Sequence, residues 1–197
     1  MNNASNKNYT VLLCGVGGQG TILAADLLAK TAIASGYKVK LSEIHGMSQR
    51  GGSVTTVVRF GPNPHSMVGD LGSADLIISF ETTEAIRNLP FLKKGGALFV
   101  NDETIIPVTV NIGAATMPEN PQDLLLSRGA TMVPASDIAR SAGSPKSTNV
   151  VLLGALSSSM DIPTQTWLEQ IEKRVPPKTV EANKEAFIQG RKFAQSH

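Results

Sequence analysis

Cysteine is nearly absent from this chain: of 197 residues only Cys14 carries a thiol. No internal disulfide can form, which suits a reducing compartment. One thiolate also cannot by itself hold an iron–sulfur cluster or a cysteine-ligated structural zinc. Histidine is sparse as well, and His45, His65 and His197 form no ligand spacing such as H-E-x-x-H, so no metal is expected on this chain. Long apolar runs are missing; none reaches the ~18 residues of a membrane span, and the opening "MNNASNKNYT" is polar. The expected location is the cytoplasm. A net charge of +2 is too small to argue for nucleic acid or an acidic membrane surface. There is no G-x-S-x-G elbow, and Ser157–Met160 reads as a polar helix end and not as a nucleophile cluster.

What is present is an alternation of apolar segments punctuated by 18 glycines and 11 prolines. "YTVLLC" (Tyr9–Cys14) is a short continuous apolar run, as in a strand buried on both faces. After a glycine cluster, apolar residues at Ile22, Leu23, Leu27, Leu28 and Ile33 follow helical spacing, with Gly36 as the stop. Tyr37–Glu43 alternates as a second strand, completing a β–loop–α–β unit of the usual ~30 residues. Further strands are expected at Ser53–Phe60, Ala74–Phe80, Gly96–Asn101 and Ala130–Pro134, with strand-like alternation at Ile106–Val110. Helices are expected after Phe80, disturbed by Pro90, and near Pro121–Arg128. Three more follow at Thr148–Met160, at Pro163–Val175 with Pro163 as first helical residue, and at Thr179–Gln195. The pattern predicts an α/β fold with a mainly parallel sheet, Rossmann-like and three-layered, with C-terminal helices. One domain spans 1–197, with 1–8 as a disordered tail and 148–197 as a helical cap.

Gly15, Gly17 and Gly20 have the G-x-G-x-x-G spacing, with Gly18 extra and Gln19 between, directly where a strand gives way to a helix. Such a loop brings backbone close to a ligand and offers a helix N-terminus to an anion. Glu43 lies about where a ribose-binding acid is expected, so a dinucleotide is one occupant; a tight helix–strand packing turn without a ligand is the other. A second loop, "EIHGMSQRGGSV" (Glu43–Val54), sets Gly46, Gly51 and Gly52 around His45, Met47, Ser48, Gln49 and Arg50. It follows a strand, where α/β sheets bind ligands, although a hairpin turn with solvated polar residues has the same composition. Arg50 is the best candidate for a catalytic or anion-recognising group, since it can pair bidentately with phosphate or carboxylate, with Gln49 beside it.

"GVGGQG", "EIHGMSQRGGSVTTVVR", "ADLIISFE" and "LKKGGALFVN" together resemble the gamma-type domain of the 2-oxoacid:ferredoxin oxidoreductases. The version they resemble is the small (beta) subunit of the indolepyruvate enzymes. The resemblance is specific from Val11 to about Asn101 and looser through "NVVLLGAL" and "VEANKEAFIQGRKFA". It implies oxidative decarboxylation of a 2-oxoacid to an acyl-CoA, with thiamine diphosphate as cofactor and electrons passing through iron–sulfur clusters to ferredoxin. No "GDG…NN" thiamine motif is present, so the resemblance implies a larger alpha-type partner subunit bearing thiamine diphosphate and the clusters. Coenzyme A is then the first candidate for an anion at Gly15–Gly20, with NAD as runner-up. The resemblance also implies that His45, Ser48, Gln49, Arg50, Gly51 and Gly52 face that partner, with Ser48 and Gln49 expected to support Arg50. The isolated chain is expected to pair as a homodimer through the same face. The alternative function is a free-standing nucleotide-binding module or a regulatory or scaffolding paralogue of the same fold.

Other features carry simpler expectations. Cys14 reads as a small buried strand residue, because no histidine or lysine adjoins it to lower its pKa. Glu81 and Glu84 suit a helix's first turn. Gly61–Gly72 reads as a surface connector, and the charges of Glu169–Arg174 and Glu181–Lys192 as solvated helix faces.

Overall fold

The computed structural model describes residues 7–45, 52–64 and 70–197, with the side chain of His45 excepted. Six strands form one sheet: β1 Tyr9–Val16, β2 Lys38–His45, β3 Ser53–Gly61, β4 Ala74–Ser79, β5 Leu92–Asn101 and β6 Ala130–Val133. Their order is β2-β3-β1-β4-β5-β6. The pairings β1–β4, β4–β5 and β5–β6 are parallel, and β3 is antiparallel to both its neighbours. The first three elements therefore do not make a simple parallel pair, because β3 turns back from β2 and inserts between it and β1.

Helix α1 (Thr21–Ala34) follows β1. It stops where expected: Gly36 takes φ 87°, and the Tyr37 amide reaches the Ala32 carbonyl at 3.0 Å. Helix α2 (Thr82–Asn88) follows β4 and runs into a 3₁₀ turn at Leu89–Phe91, where Pro90 tightens the chain. Next come α3 (Val108–Asn111), α4 (Pro121–Ser127) and α5 (Ala135–Ser141). Helices α6 (Thr148–Ser157), α7 (Thr164–Arg174) and α8 (Val180–Gln195) complete the chain. Two expectations are corrected here. Ile106–Val110 is not a strand but runs into the turn of α3, because this exposed stretch has no neighbouring strand to pair with and Pro107 sets its entry. Pro163 precedes its helix as the cap instead of starting it. The sequence reading also passed over α5, a two-turn helix too short for a periodic signal.

The sheet is covered on both faces. On one, Val11, Leu13, Val58, Phe60, Leu76, Ile78 and Phe80 meet α1 and α5 to α8. On the other, Leu12, Cys14, Ile77, Leu98 and Val100 meet Ala85 of α2 and Leu125 of α4. Alternate residues of β1 and β4 thus feed two cores, which is why their sequences are apolar throughout. Every residue of α6 from Asn149 to Ser157 is buried. The helix lies against β4 and β5 with α8 along it, and each Leu it contributes is worth about 1.5–3 kcal/mol of transfer free energy.

The α6–α8 crossing depends on two glycines. A Cβ on Gly154 would stand 2.1 Å from the Phe187 carbonyl oxygen, and one on Gly190 would stand 2.1 Å from that of Val151. Backbone cannot retreat as a side-chain tip does. Gly154→Ala should therefore cost about 2–3 kcal/mol despite alanine's better helix propensity. Urea denaturation checks this, and an unchanged or higher midpoint would refute the close-crossing account.

Candidate functional site

β1 and β4 run side by side, yet α1 leaves toward one face of the sheet and α2 toward the other. The crevice outside their carboxyl ends is a topological switch point, where open α/β sheets bind ligands. The glycine loop sits on one side of it and the start of α2 on the other.

Gln19 pins the loop in place. Its Oε1 accepts from the Val16 amide at 2.7 Å, and its Nε2 donates to the Phe80 carbonyl at 3.1 Å. Both ends of the amide are thus engaged within the chain, tying the exit of β1 to that of β4. Gly15 makes room: a Cβ there would lie 2.8 Å from both Gln19 Oε1 and Phe80 Cβ. Gly20 caps α1 at φ 83°, a left-handed conformation that side chains resist. A Cβ on it would also meet Asn149 Nδ2 at 2.9 Å. The Gly17 amide donates to the Gly52 carbonyl at 2.9 Å, joining the first loop to the stem of the second.

The two helix starts differ in charge. Glu81 caps α2, accepting from the Thr83 amide at 2.8 Å and from the Glu84 amide. Helix α1 has no side-chain cap among the described residues and no acid in its first turn. Its positive end faces a groove of about 990 Å³ whose walls include Gly17, Gly18, Gly20 and Thr21, then Leu41, Glu43 and Val54 from β2 and β3. The Thr21 hydroxyl is buried in that wall with no hydrogen-bond partner among the described residues. At the far end stands Asp26, which accepts from Lys30 Nζ at 3.0 Å and from Arg174 Nε at 2.7 Å. Partial burial works against the charge of Asp26, but these two cations hold its carboxyl below its ordinary value.

The first cluster of candidates is brought together as expected: Gly15, Gly17, Gly18, Gln19 and Gly20 form one turn, with Gly52 hydrogen-bonded to it. His45 ends β2 and Gly52 re-enters beside it, where Ser53 pairs with Val16. The second loop is therefore rooted at the same end of the sheet. Ser48, Gln49, Arg50 and Gly51, with the side chain of His45, lie outside the described residues, as does His65. Cys14 is buried, its thiol pushed up to about 12 by burial, with Sγ 3.6 Å from the Ile78 and Glu84 carbonyls. It is an inert core residue, as expected.

The family model of pyruvate ferredoxin/flavodoxin oxidoreductase matches residues 10–193. The chain belongs to this family. It is 43% identical to indolepyruvate oxidoreductase subunit IorB of Thermococcus kodakarensis, over 96% of this chain and 97% of that one. Against subunit IorB of Pyrococcus horikoshii it is 42% identical, with 96% and 97% covered. The gamma subunit of a keto/oxoacid ferredoxin oxidoreductase from Geobacter sulfurreducens superposes with a TM-score of 0.72 at 25% identity, over 96% of this chain and 99% of that one. The fold also recurs, at a TM-score of 0.74 and 24% identity, in a 2-oxoglutarate:ferredoxin oxidoreductase from Magnetococcus marinus. There it covers 98% of this chain but 32% of that one.

Sequence reasoning missed the residues that distant segments supply. Asp26 and Arg174 are 148 positions apart and carry no joint motif. The unpartnered Thr21 hydroxyl is a property of packing. Glu84, anticipated only as a first-turn acid, also accepts from the Ser53 hydroxyl at 2.6 Å and pairs with Arg87 at 3.3 Å. No helix among the described residues is long and apolar enough to cross a membrane, and none of their side chains cluster as a metal site.

Burial raises the Glu84 pKa, against the pull of the Ser53 hydroxyl and Arg87, with Glu81 adding to the rise. A carboxyl whose native pKa exceeds its unfolded value holds its proton more tightly when folded. Ionisation then costs stability as pH rises from the ordinary carboxylate range through the raised native pKa. Glu84→Gln keeps an acceptor for Ser53 and should be at least as stable as wild type at pH 7, with any advantage shrinking toward pH 4. Denaturation at both pH values measures this; a variant weakened at pH 7 but not at pH 4 would reverse the sign.

Proposed function

We propose that this chain is the cluster-free small subunit of a 2-oxoacid:ferredoxin oxidoreductase acting on indolepyruvate or another aryl-pyruvate. The reaction is oxidative decarboxylation to an acyl-CoA, with ferredoxin as electron acceptor. Identity above 40% along nearly the whole length of two curated oxidoreductase subunits supports this over a free-standing nucleotide-binding module. The chain is not active alone. Its single cysteine is buried and cannot ligate a cluster, so the larger alpha-type subunit carries the iron–sulfur clusters and thiamine diphosphate.

The role of this chain is to hold an anion of a substrate, with the phosphates of coenzyme A as the assignment. The observation that carries it is the N-terminus of α1: uncapped by any described side chain, free of acids in its first turn, and flanked by the buried, unpartnered Thr21 hydroxyl. A phosphate there receives backbone donors and the positive end of the helix dipole. NAD is the poorer occupant. The ribose-binding acid of dinucleotide folds stands on the strand beside β1, whereas β3 here sets Glu43 two strand spacings away, about 9–10 Å. Arg50, supported by Ser48 and Gln49, supplies a second charged contact from the loop rooted at His45 and Gly52.

In the assembled enzyme, Arg50→Ala should raise the apparent KM for coenzyme A or for the 2-oxoacid about tenfold, a loss of about 1.4 kcal/mol, with the melting temperature unchanged. Unaltered steady-state constants for both substrates would remove Arg50 from the site. Thr21→Val separates binding from folding. Losing an unsatisfied buried hydroxyl should leave stability equal or higher, while the apparent KM for coenzyme A rises severalfold. If that KM stays put, the phosphate is not at α1.

A further inference from the structure

The groove beside α1 does not end at Asp26. Lys30 and Arg174, which line it, also line a second recess of about 370 Å³ between α1 and α7. The other walls of the recess are Ile33 and Ala34 of α1 and Gln170 and Lys173 of α7. On each helix the three lining residues fall at i, i+3 and i+4, so two facing stripes enclose it. The two cavities differ in charge. In the groove Lys30 and Arg174 are matched by Asp26 and Glu43, whereas the recess is lined by three cations and, among the described residues, no acid.

Cations in the last turn of a helix complement its dipole, which accounts for Lys173 and Arg174 on α7. It does not account for Lys30, which α1 brings to the same place. Lys30 Nζ and Arg174 Nε share a single oxygen, Asp26 Oδ2, and one carboxylate cannot neutralise two cations. Arg174 is bound through Nε alone; among the described residues neither of its Nη groups has an acceptor. Asp26 lies five residues beyond Thr21 on α1, about 7.5 Å along the axis at the rise of an α-helix. A single nucleotide can span that gap. In coenzyme A the pyrophosphate and the 3′-phosphate hang from the same ribose.

We propose that Lys30, Lys173 and Arg174 form a second anion subsite, which takes a phosphomonoester of the ligand whose first phosphate sits at α1; for coenzyme A this is the 3′-phosphate. The inference rests on the reading above and deepens it. A phosphomonoester carries about −1.5 to −2 charges at pH 7 and suits three convergent cations. The guanidinium of Arg174 offers it two N–H groups in a planar fork, with the lysines as point charges on either side. Both pairs to Asp26 are exposed and weak, so a dianion draws the cations from it at little cost. NAD and 3′-dephospho-coenzyme A lack the group, and the subsite therefore selects against both.

The test is steady-state kinetics of the assembled enzyme, purified anaerobically with the larger subunit, on coenzyme A and on 3′-dephospho-coenzyme A. Wild type should show an apparent KM about tenfold lower for coenzyme A, the size of one charge-assisted hydrogen bond. Arg174→Gln and Lys173→Gln should each raise the KM for coenzyme A severalfold more than that for the dephospho form, which shrinks the preference. Lys94→Gln, at the opposite end of the sheet, should preserve it. Damage to the fold would raise both KM values together, so the ratio reads the subsite alone. Equal KM values in wild type, or a preference that survives both Arg174→Gln and Lys173→Gln, overturns the subsite and leaves the phosphate at α1 to the Thr21→Val test. Absence of coenzyme A-dependent turnover in the wild-type complex defeats the subunit reading, and the subsite with it.

Discussion

The parallel contact between β1 and β4 is the constraint from which the site follows. Their helices must cover opposite faces, so the two chains diverge within a residue or two of adjacent strand ends, and such divergence leaves a crevice. Something must hold the walls of that crevice at a fixed spacing. Gln19 does so by bonding to the Val16 amide and the Phe80 carbonyl at once, and Gly15 permits the approach by having no side chain. The two helix N-termini that result are treated differently. Glu81 supplies α2 with an internal anion, whereas α1 is given none. An anion at such a terminus is worth about 0.3–1 kcal/mol when exposed and up to about 2 kcal/mol when partly buried, and of these two termini α1 is the one without an internal anion.

The second constraint is the insertion of β3. By returning antiparallel between β2 and β1, it carries the end of β2 and the start of β3 to the same edge of the sheet as the glycine loop. The Gly17–Gly52 hydrogen bond fastens one loop to the stem of the other. The insertion also widens the distance between the first and second sequential strands, and the groove between α1 and β2 occupies that width. Its walls combine apolar Leu41 and Val54 and the backbone of the glycine turn with the charged side chains of Glu43, Asp26, Lys30 and Arg174.

Much of this was legible in the sequence because it is local. β1, α1 and the glycine turn announce themselves through an apolar run, helical spacing and a stop at Gly36. The buried α6 shows in "TNVVLLGALS". What was not legible depends on partners far along the chain. A β–loop–α–β pattern says that two strands share a direction, not that a third lies between them, and strand order is settled by which apolar faces meet in three dimensions. Ile106–Val110 alternates like a strand, but alternation makes a strand only where a neighbour offers a ladder. Gln19 looked like part of a ligand-binding motif, and its amide turned out to be engaged by Val16 and Phe80. Arg174 joins the Asp26–Lys30 pair of α1 only because α7 packs on α1.

A chain built this way is not expected to bind strongly on its own. The anion site proposed for it is a helix terminus opening into a groove, and charges in contact with water interact weakly: a unit pair at 4 Å gains about 1 kcal/mol in bulk water and about 4 kcal/mol at the effective dielectric of a protein surface. Excluding water from the mouth is therefore worth more than adding another donor. Glu81 ties the segment after β5 to the start of α2, since one of its carboxylate oxygens accepts from the amides of both Thr83 and Ile105.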